Sequence, residues 1–308
     1  MDFCFFKNQI IPNNQANINI ASHSLQYGST CFAGIRGYVR EGEVRIFRLK
    51  DHYERLMNAS SMLRFGFYLP YDEFEKIIED LIKKNRPQSD FYIRPFLFSE
   101  NQVIGVSYIN LSFHLAIYMV ALSSFYPKET GLKLMVSNWK KISDAAMPTK
   151  AKAGGCYVNS SLATTDARMA GFDEALLMDQ NENIVEASVA NIFIVYRGEV
   201  FTPPIASDVL EGITWRTVGE LLHEQQFKIR YEPISRSMVY NCEELFLTGT
   251  ATQVVFAESV DGRLIGMGKE GKITTLVKGL FEDVINLKHP RSMSYIKILK
   301  KAEVHEKD

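Results

Sequence analysis

Between Thr149 and Ser161 the chain reads TKAKAGGCYVNSS, which gathers two lysines, a Gly-Gly pair, a cysteine and a tyrosine in one short run. A lysine beside two glycines is ordinarily a solvated loop residue. Here its neighbours are small, Ala151, Ala153, Gly154 and Gly155, so a planar group could approach the backbone, and the Gly-Gly pair reads as clearance for a ring. A lysine desolvated in such a place loses some of its proton affinity and can form a Schiff base with a carbonyl. Lys150 and Lys152 both qualify, and spacing does not choose between them.

A Schiff-base cofactor of the pyridoxal phosphate type makes further demands. Its phosphate needs a cation and free backbone N–H groups, its ring nitrogen a carboxylate, and its phenolic oxygen a donor. In EGITWRTVGELL, Gly212, Ile213 and Thr214 open a helix whose unpaired N–H groups and dipole favour phosphate. TGTAT, Thr248 to Thr252, sets small hydroxyl residues after an apolar run. Glu186 is a lone carboxylate at the end of an apolar run, and Arg55 lies in DHYERL. Each has an ordinary structural reading as well: a helix cap, a turn, a strand edge meeting water, a surface arginine pairing along its helix.

The elements that must position these groups follow from hydrophobic period. GEVRIFRL alternates as a half-buried strand, and DHYERLMNASSMLRF puts Leu56, Ala59, Met62 and Leu63 on one helical face. YDEFEKIIEDLIKKN begins acidic and ends basic, as a helix dipole prefers. Strands are expected at DFYIRPFLF, LSFHLAIYMVAL and Leu132 to Asn138, then a helix from about Asn159 to Ala170. The run from Glu174 to Pro204 reads as a meander of strands, GITWRTVGELLHEQQF as a helix, and EELFLTGTATQVVFAESVDGRLIG as strands with VDGR as a tight hairpin turn. SSFYPKETG carries the Pro, Gly and polar residues of an interdomain linker, and KKAEVHEKD reads as a solvated tail. The expected organisation is α+β in two domains: residues 1–121, a linker at 122–131, and a larger domain at 132–308.

Composition sets outer limits. A net charge of -1, with 46% hydrophobic and 23% charged residues, argues against nucleic-acid or membrane partners held by bulk electrostatics. The longest apolar run, INLSFHLAIYMVAL, is broken by Ser112 and His114 and is too short for a membrane span. MDFCFFKNQIIPNNQ lacks the pattern of a signal peptide, so the expected compartment is the cytoplasm. Cys4, Cys31, Cys156 and Cys242 are scattered, so reduced thiols are expected, with neither a zinc site nor a disulfide framework. There is no GxGxxG or GxxxxGK[ST] run, which argues against a Rossmann or P-loop nucleotide site.

What makes the weak signals specific is their order. YGSTCFAGIRGY, DHYERL, YIRP, IGV, KAGGCY, E-x4-NIF, PP-x7-GIT and F-x-TGTAT succeed one another from about Tyr27 to Val260. Together they resemble the fold-type-IV pyridoxal-phosphate enzymes, the class-IV aminotransferases, and among them most closely the branched-chain amino acid aminotransferases. The resemblance implies a small N-terminal α/β domain and a larger, antiparallel-rich cofactor domain. It selects Lys152 as the residue that holds pyridoxal 5′-phosphate and moves the substrate Cα proton. It also implies Tyr157 on the phenolic oxygen, Glu186 on the ring nitrogen, and Arg55 with Gly212, Ile213, Thr214 and Thr250 on the phosphate. For the substrate it implies an aromatic pocket from Tyr27, Phe32, Tyr92 and Tyr126, with Arg94 ordering the pocket and the carboxylate end. Thr250, Ala251 and Thr252 would bind the α-carboxylate, and Ile104 and Val106 would reach in from a neighbouring subunit, so that at least a homodimer is implied.

Three departures stand out: Cys156 where the family usually has asparagine, ASVANIF in place of GxGENxF, and FAGIR in place of FEGIR. None falls on the lysine, the carboxylate or the phosphate residues. The expected activity is transamination of Leu, Ile and Val with 2-oxoglutarate, since an apolar pocket separates one methylene by only about 1–3 kcal/mol. A D-amino acid aminotransferase or an aminodeoxychorismate lyase would share the lysine and the cofactor residues. A cofactor-binding carrier or regulator without turnover is the reading from another class.

Overall fold

The computed structural model describes residues 1–123, 126 and 130–300. The chain opens with strands β1 (Phe3–Phe6) and β2 (Gln9–Pro12), the short helix α1 (His23–Tyr27), and strands β3 (Cys31–Phe32), β4 (Ile35–Arg40) and β5 (Glu43–Phe47). Helices α2 (Leu49–Met62) and α3 (Tyr71–Asn85) follow, then β6 (Phe91–Phe98) and β7 (His114–Ala121). Next come β8 (Leu132–Lys140), α4 (Tyr157–Met169), β9 (Glu174–Met178), β10 (Ile184–Ala187), β11 (Asn191–Tyr196) and β12 (Glu199–Thr202). After these lie α5 (Ile213–Glu224), β13 (Ile229–Tyr231), α6 (Arg236–Tyr240), β14 (Glu244–Gly249), β15 (Gln253–Val260) and β16 (Arg263–Leu264). Helices α7 (Lys272–Ile285) and α8 (Ser292–Tyr295) lead to the last strand, β17 (Ile296–Lys300).

These elements form two compact units, and neither is a single stretch of chain. The first comprises residues 1–123, 151–155 and 284–308; the second, 124–150 and 156–283. The sequence alone suggests one domain running from 132 to 308. It carries no sign that Lys152 and the C-terminal strand leave the second unit. Half of the expected linker at 122–131 and the whole tail after Lys300 fall outside the described residues.

The first unit is built on an eight-stranded antiparallel sheet in the order β17-β5-β4-β6-β7-β1-β2, with β3 paired to β6. Its core packs sheet residues such as Ile35, Ile46, Phe91 and Ile93 against Leu56 and Ala59 of α2 and Phe74, Ile78 and Leu81 of α3. Helix α3 has the expected charge arrangement, Asp72 and Glu73 in its first turn and Lys83 and Lys84 in its last. On α2 the expected face holds for Leu56 and Ala59, but the helix ends at Met62, whose side chain is exposed.

The second unit holds a nine-stranded mixed sheet, β10-β9-β8-β15-β14-β11-β12-β13, with β16 on β15. The expected meander of residues 174–204 is two separate hairpins, β9–β10 and β11–β12, because β8, β15 and β14 come between them in the sheet. Local turn chemistry holds. VDGR closes a hairpin in which Val260 faces Arg263, and Asp261 and Gly262 take φ of 49° and 75°. Positive φ at both central residues is what a two-residue turn joining right-twisted strands requires. Among the described residues, no helix is long and apolar enough to cross a membrane.

Candidate active site

Lys152 belongs to the first unit although its neighbours in sequence mostly do not. Ala151 is fully buried in the first core, and Ala153 forms an isolated bridge to Cys31. Between them Lys152 takes a left-handed φ of 49°, and its carbonyl accepts the Phe32 N–H. Its Nζ stands 5.0 Å from the centroid of the Phe32 ring. The same ring carries the Arg94 guanidinium, 4.3 Å from its centroid, and Arg94 Nη2 donates to Tyr92 Oη at 3.2 Å. Lys152, Phe32, Tyr92 and Arg94 are therefore one local group. Lys150 is occupied differently: its Nζ donates to the Ser207 carbonyl at 2.9 Å in the second unit.

The Gly-Gly pair has a structural cause that its sequence context does not reveal. The Gly154 N–H donates to the Thr30 carbonyl, and any Cβ on Gly154 would collide with Thr30 Oγ1. Gly155 also lies close to Gly28. The pair lets residues 151–155 press against the segment after α1.

A second group in the first unit forms around Gly105. Tyr27 Oη accepts the Gly105 N–H at 3.2 Å, and His23 Nε2 lies 2.9 Å from the Gly105 carbonyl oxygen. That pins the middle of the IGV run, whose flanking side chains, Ile104 and Val106, are 95% and 76% exposed. Arg55 is half-buried on α2 with Nη2 beside His52 Nδ1.

The second unit supplies a helix start without a side-chain cap and a buried carboxylate. Helix α5 starts at Ile213 behind Gly212, whose extended φ/ψ makes it the N-cap with no side-chain hydrogen bond. Thr214 Oγ1 is buried there without a hydrogen-bond partner. Trp215, whose Nε1 donates to Thr202 Oγ1 at 2.7 Å, ties the helix to β12. A bare helix N-terminus with a buried, unsatisfied hydroxyl beside it fits a phosphate. Thr250, Ala251 and Thr252 are half-buried in the turn between β14 and β15, and Thr248 Oγ1, just before them, is buried without a partner. Tyr157 is the first residue of α4 and follows Cys156, its N-cap.

Glu186 sits on β10, where the register with β9 shifts between Ile184 and Glu186. Such an irregularity re-aims a side chain. The carboxylate is buried, with Oε1 2.5 Å from Lys141 Nζ, while Oε2 accepts the Leu210 N–H at 3.0 Å and lies 3.5 Å from Asn191 Nδ2. Asn191 Nδ2 also donates to the Leu210 carbonyl, and a Cβ on Gly212 would strike Asn191 Oδ1. One side chain thus links the carboxylate to the loop that leads into α5. Burial by itself would depress the Lys141 ammonium, but Glu186 beside it holds it above the ordinary lysine range.

Sequence reasoning misses three residues that belong to these groups. Lys141 has no distinguishing signal beside Lys140. Asn191 is visible only as one letter of a motif. Arg36, in the GIR run, pairs across the ladder with Tyr92, is 1% exposed, and has Nε and Nη1 without partners. Tyr126, expected as a pocket wall, lies in the core of the second unit with its hydroxyl donated to Glu174 Oε2 at 2.7 Å. Burial, then Glu174, pushes its phenol far above the ordinary tyrosine range.

Comparison with known proteins places these groups in context. The family described as amino-transferase class IV matches residues 30–260. A protein of Aquifex aeolicus named as a probable branched-chain-amino-acid aminotransferase is 34% identical over 299 residues, 96% of either chain. The branched-chain aminotransferase of Thermoproteus uzoniensis, solved with norvaline, superposes with a TM-score of 0.93 at 29% identity, over 96% of this chain and 98% of that one. The branched-chain amino acid aminotransferase of Thermobaculum terrenum, solved in its PLP holo-form, gives 0.91 at 27%, over 96% and 98%.

Proposed function

The chain belongs to the class-IV aminotransferases, and from that premise we propose that it transaminates branched-chain L-amino acids with 2-oxoglutarate, using pyridoxal 5′-phosphate. The observation that carries the reading is the group around Phe32: a primary amine and a guanidinium on one aromatic ring. An amine can hold and release a carbonyl group, a guanidinium can hold a carboxylate, and the ring gives an apolar side chain a surface.

Bound cofactor supplies an aldehyde to take up the amino group and a protonated ring to draw electrons from the substrate Cα. The residues of this chain do the rest. Lys152 takes the Cα proton and returns it on the other side of the reaction, as general base and then acid. Glu186 holds the proton on the ring nitrogen, and Tyr157 donates to the phenolic oxygen. Arg55, the N–H groups of Ile213 and Thr214, and the hydroxyls of Thr214 and Thr250 bind the phosphate. Phe32, Tyr92 and Tyr27 bound the side-chain pocket, Arg94 orders its carboxylate end, and Thr250, Ala251 and Thr252 bind the α-carboxylate. Ile104 and Val106, exposed on a pinned loop, complete the pocket of a second copy, so the working form is a homodimer. A concave apolar face on the first unit, of about 650 Å³ and lined by Phe6, Leu25, Phe98, Tyr118 and Val120, supports that assembly.

The test is a direct competition. The holoprotein mixed with L-leucine and 2-oxoglutarate should give glutamate, and its visible absorption should change on L-leucine alone. Turnover of D-alanine without L-leucine would move the chain to the D-amino acid enzymes of the same fold. An unchanged spectrum with every amine would support an inert cofactor carrier.

A further inference from the structure

Glu186 is more elaborately held than a carboxylate serving one ring nitrogen needs to be. It is buried, yet it faces a cation of its own chain: Lys141 Nζ, just past the end of β8, lies 2.5 Å from Oε1. Lys141 is also largely enclosed, with 13% of its side chain exposed. A buried lysine is costly unless it is paired, and Glu186 is the anion in contact with it. Oε2 is the oxygen fixed by the loop, through the Leu210 N–H and Asn191. The other titratable groups that face Lys141 are the Cys156 thiol, which follows Gly155 at the start of α4, and Asp208 of the loop before α5. Both act on the ammonium less strongly than Glu186 does.

The geometry points to Lys141 as a positioning residue that decides where the ring proton resides. If Glu186 and the ring nitrogen share one proton, it goes to the stronger base. A cation against one oxygen of a carboxylate favours its ionised form and so works against its taking a shared proton. With Lys141 present the proton stays on the nitrogen, where it is needed to draw electrons from the substrate. Without Lys141 a buried carboxylate is inclined to keep the proton itself and leave the ring neutral. The pair with Oε1 also prevents the carboxylate from rotating, so that Oε2 keeps its direction. This inference rests on the proposed function, since it assigns Glu186 to the cofactor ring.

Pyridoxal 5′-phosphate labelled with 15N at the ring nitrogen reads the proton directly, because pyridine and pyridinium nitrogens have well separated chemical shifts. The full chain loaded with that cofactor should show a pyridinium signal, and so should Lys141→Arg, which keeps the cation. Lys141→Gln should lose it to a neutral-pyridine signal, while Lys140→Gln, altered at the more exposed neighbour, should match the wild type. Lys141→His provides a second route should the glutamine variant not fold. Its charge changes between about pH 5 and 8, so pyridinium should dominate at the lower pH and fade at the higher. In turnover, Lys141→Gln should lower kcat with KM little changed. A pyridinium signal that persists in Lys141→Gln, or that ignores pH in Lys141→His, overturns the inference and leaves the function standing. Failure of the wild type to take up cofactor would overturn the functional reading itself.

Discussion

Lys150 and Lys152 are separated by one alanine and have different tasks. Lys150 donates to Ser207 and Thr149 and secures a loop; Lys152, with left-handed backbone, reaches the ring of Phe32. Lys152→Ala should abolish turnover while the protein still takes up cofactor through its phosphate residues. Lys150→Ala should stay active and lose roughly 1 kcal/mol of stability with its hydrogen bond. Inactive Lys150→Ala beside active Lys152→Ala would reverse the assignment. Tyr126 gives a second contrast at this scale. Its hydroxyl satisfies Glu174 in the core of the second unit, so Tyr126→Phe should cost about 1–3 kcal/mol in urea denaturation. KM for L-leucine should not move, and a raised KM in a fully stable variant would return Tyr126 to the pocket. The roles of Lys141 and Asn191 are not legible in the sequence because their buried contacts are made by residues that meet only in three dimensions. Nothing about NWKKIS marks the second lysine over the first.

Among the elements, those set by local rules are legible and those set by pairing are not. The ends of α3, the start of α5 and the VDGR hairpin follow from charge, capping and turn residues within a few positions. The split of the expected meander and the return of β17 to the first sheet depend on partners far along the chain, for which one sequence carries no period. The 151–155 segment shows how an element can be set by another. Its backbone lies against Thr30, so Gly154→Ala should destabilise by roughly 1–3 kcal/mol through overpacking. Because the clash is with the Thr30 hydroxyl, adding Thr30→Ala should recover much of that loss. A double mutant whose losses simply sum would mean that the two segments are not coupled.

For the whole molecule, most of the candidate site is readable as an ordered set of motifs, while assembly is readable only through resemblance. The apolar face of the first unit exposes Leu25 at 60% and Val120 at 43%, on the same surface as Phe6 and Phe98. On the proposed homodimer, Leu25→Glu with Val120→Glu should shift sedimentation toward the 35.1 kDa chain, with specific activity falling on dilution. A double variant that stays dimeric would place the interface elsewhere.

The first unit begins with the first residues of the chain, yet β17 is its last strand and pairs along the whole of β5, from Ile296–Phe47 to Lys300–Glu43. During synthesis β5 therefore has β4 on one side and an open edge on the other until residues 296–300 have left the ribosome. An unpaired strand edge is a template for wrong partners. The unit that starts first is completed last, and a nascent chain halted within α7 has Glu43 to Phe47 still without that partner. That edge stays open while some 250 further residues are translated.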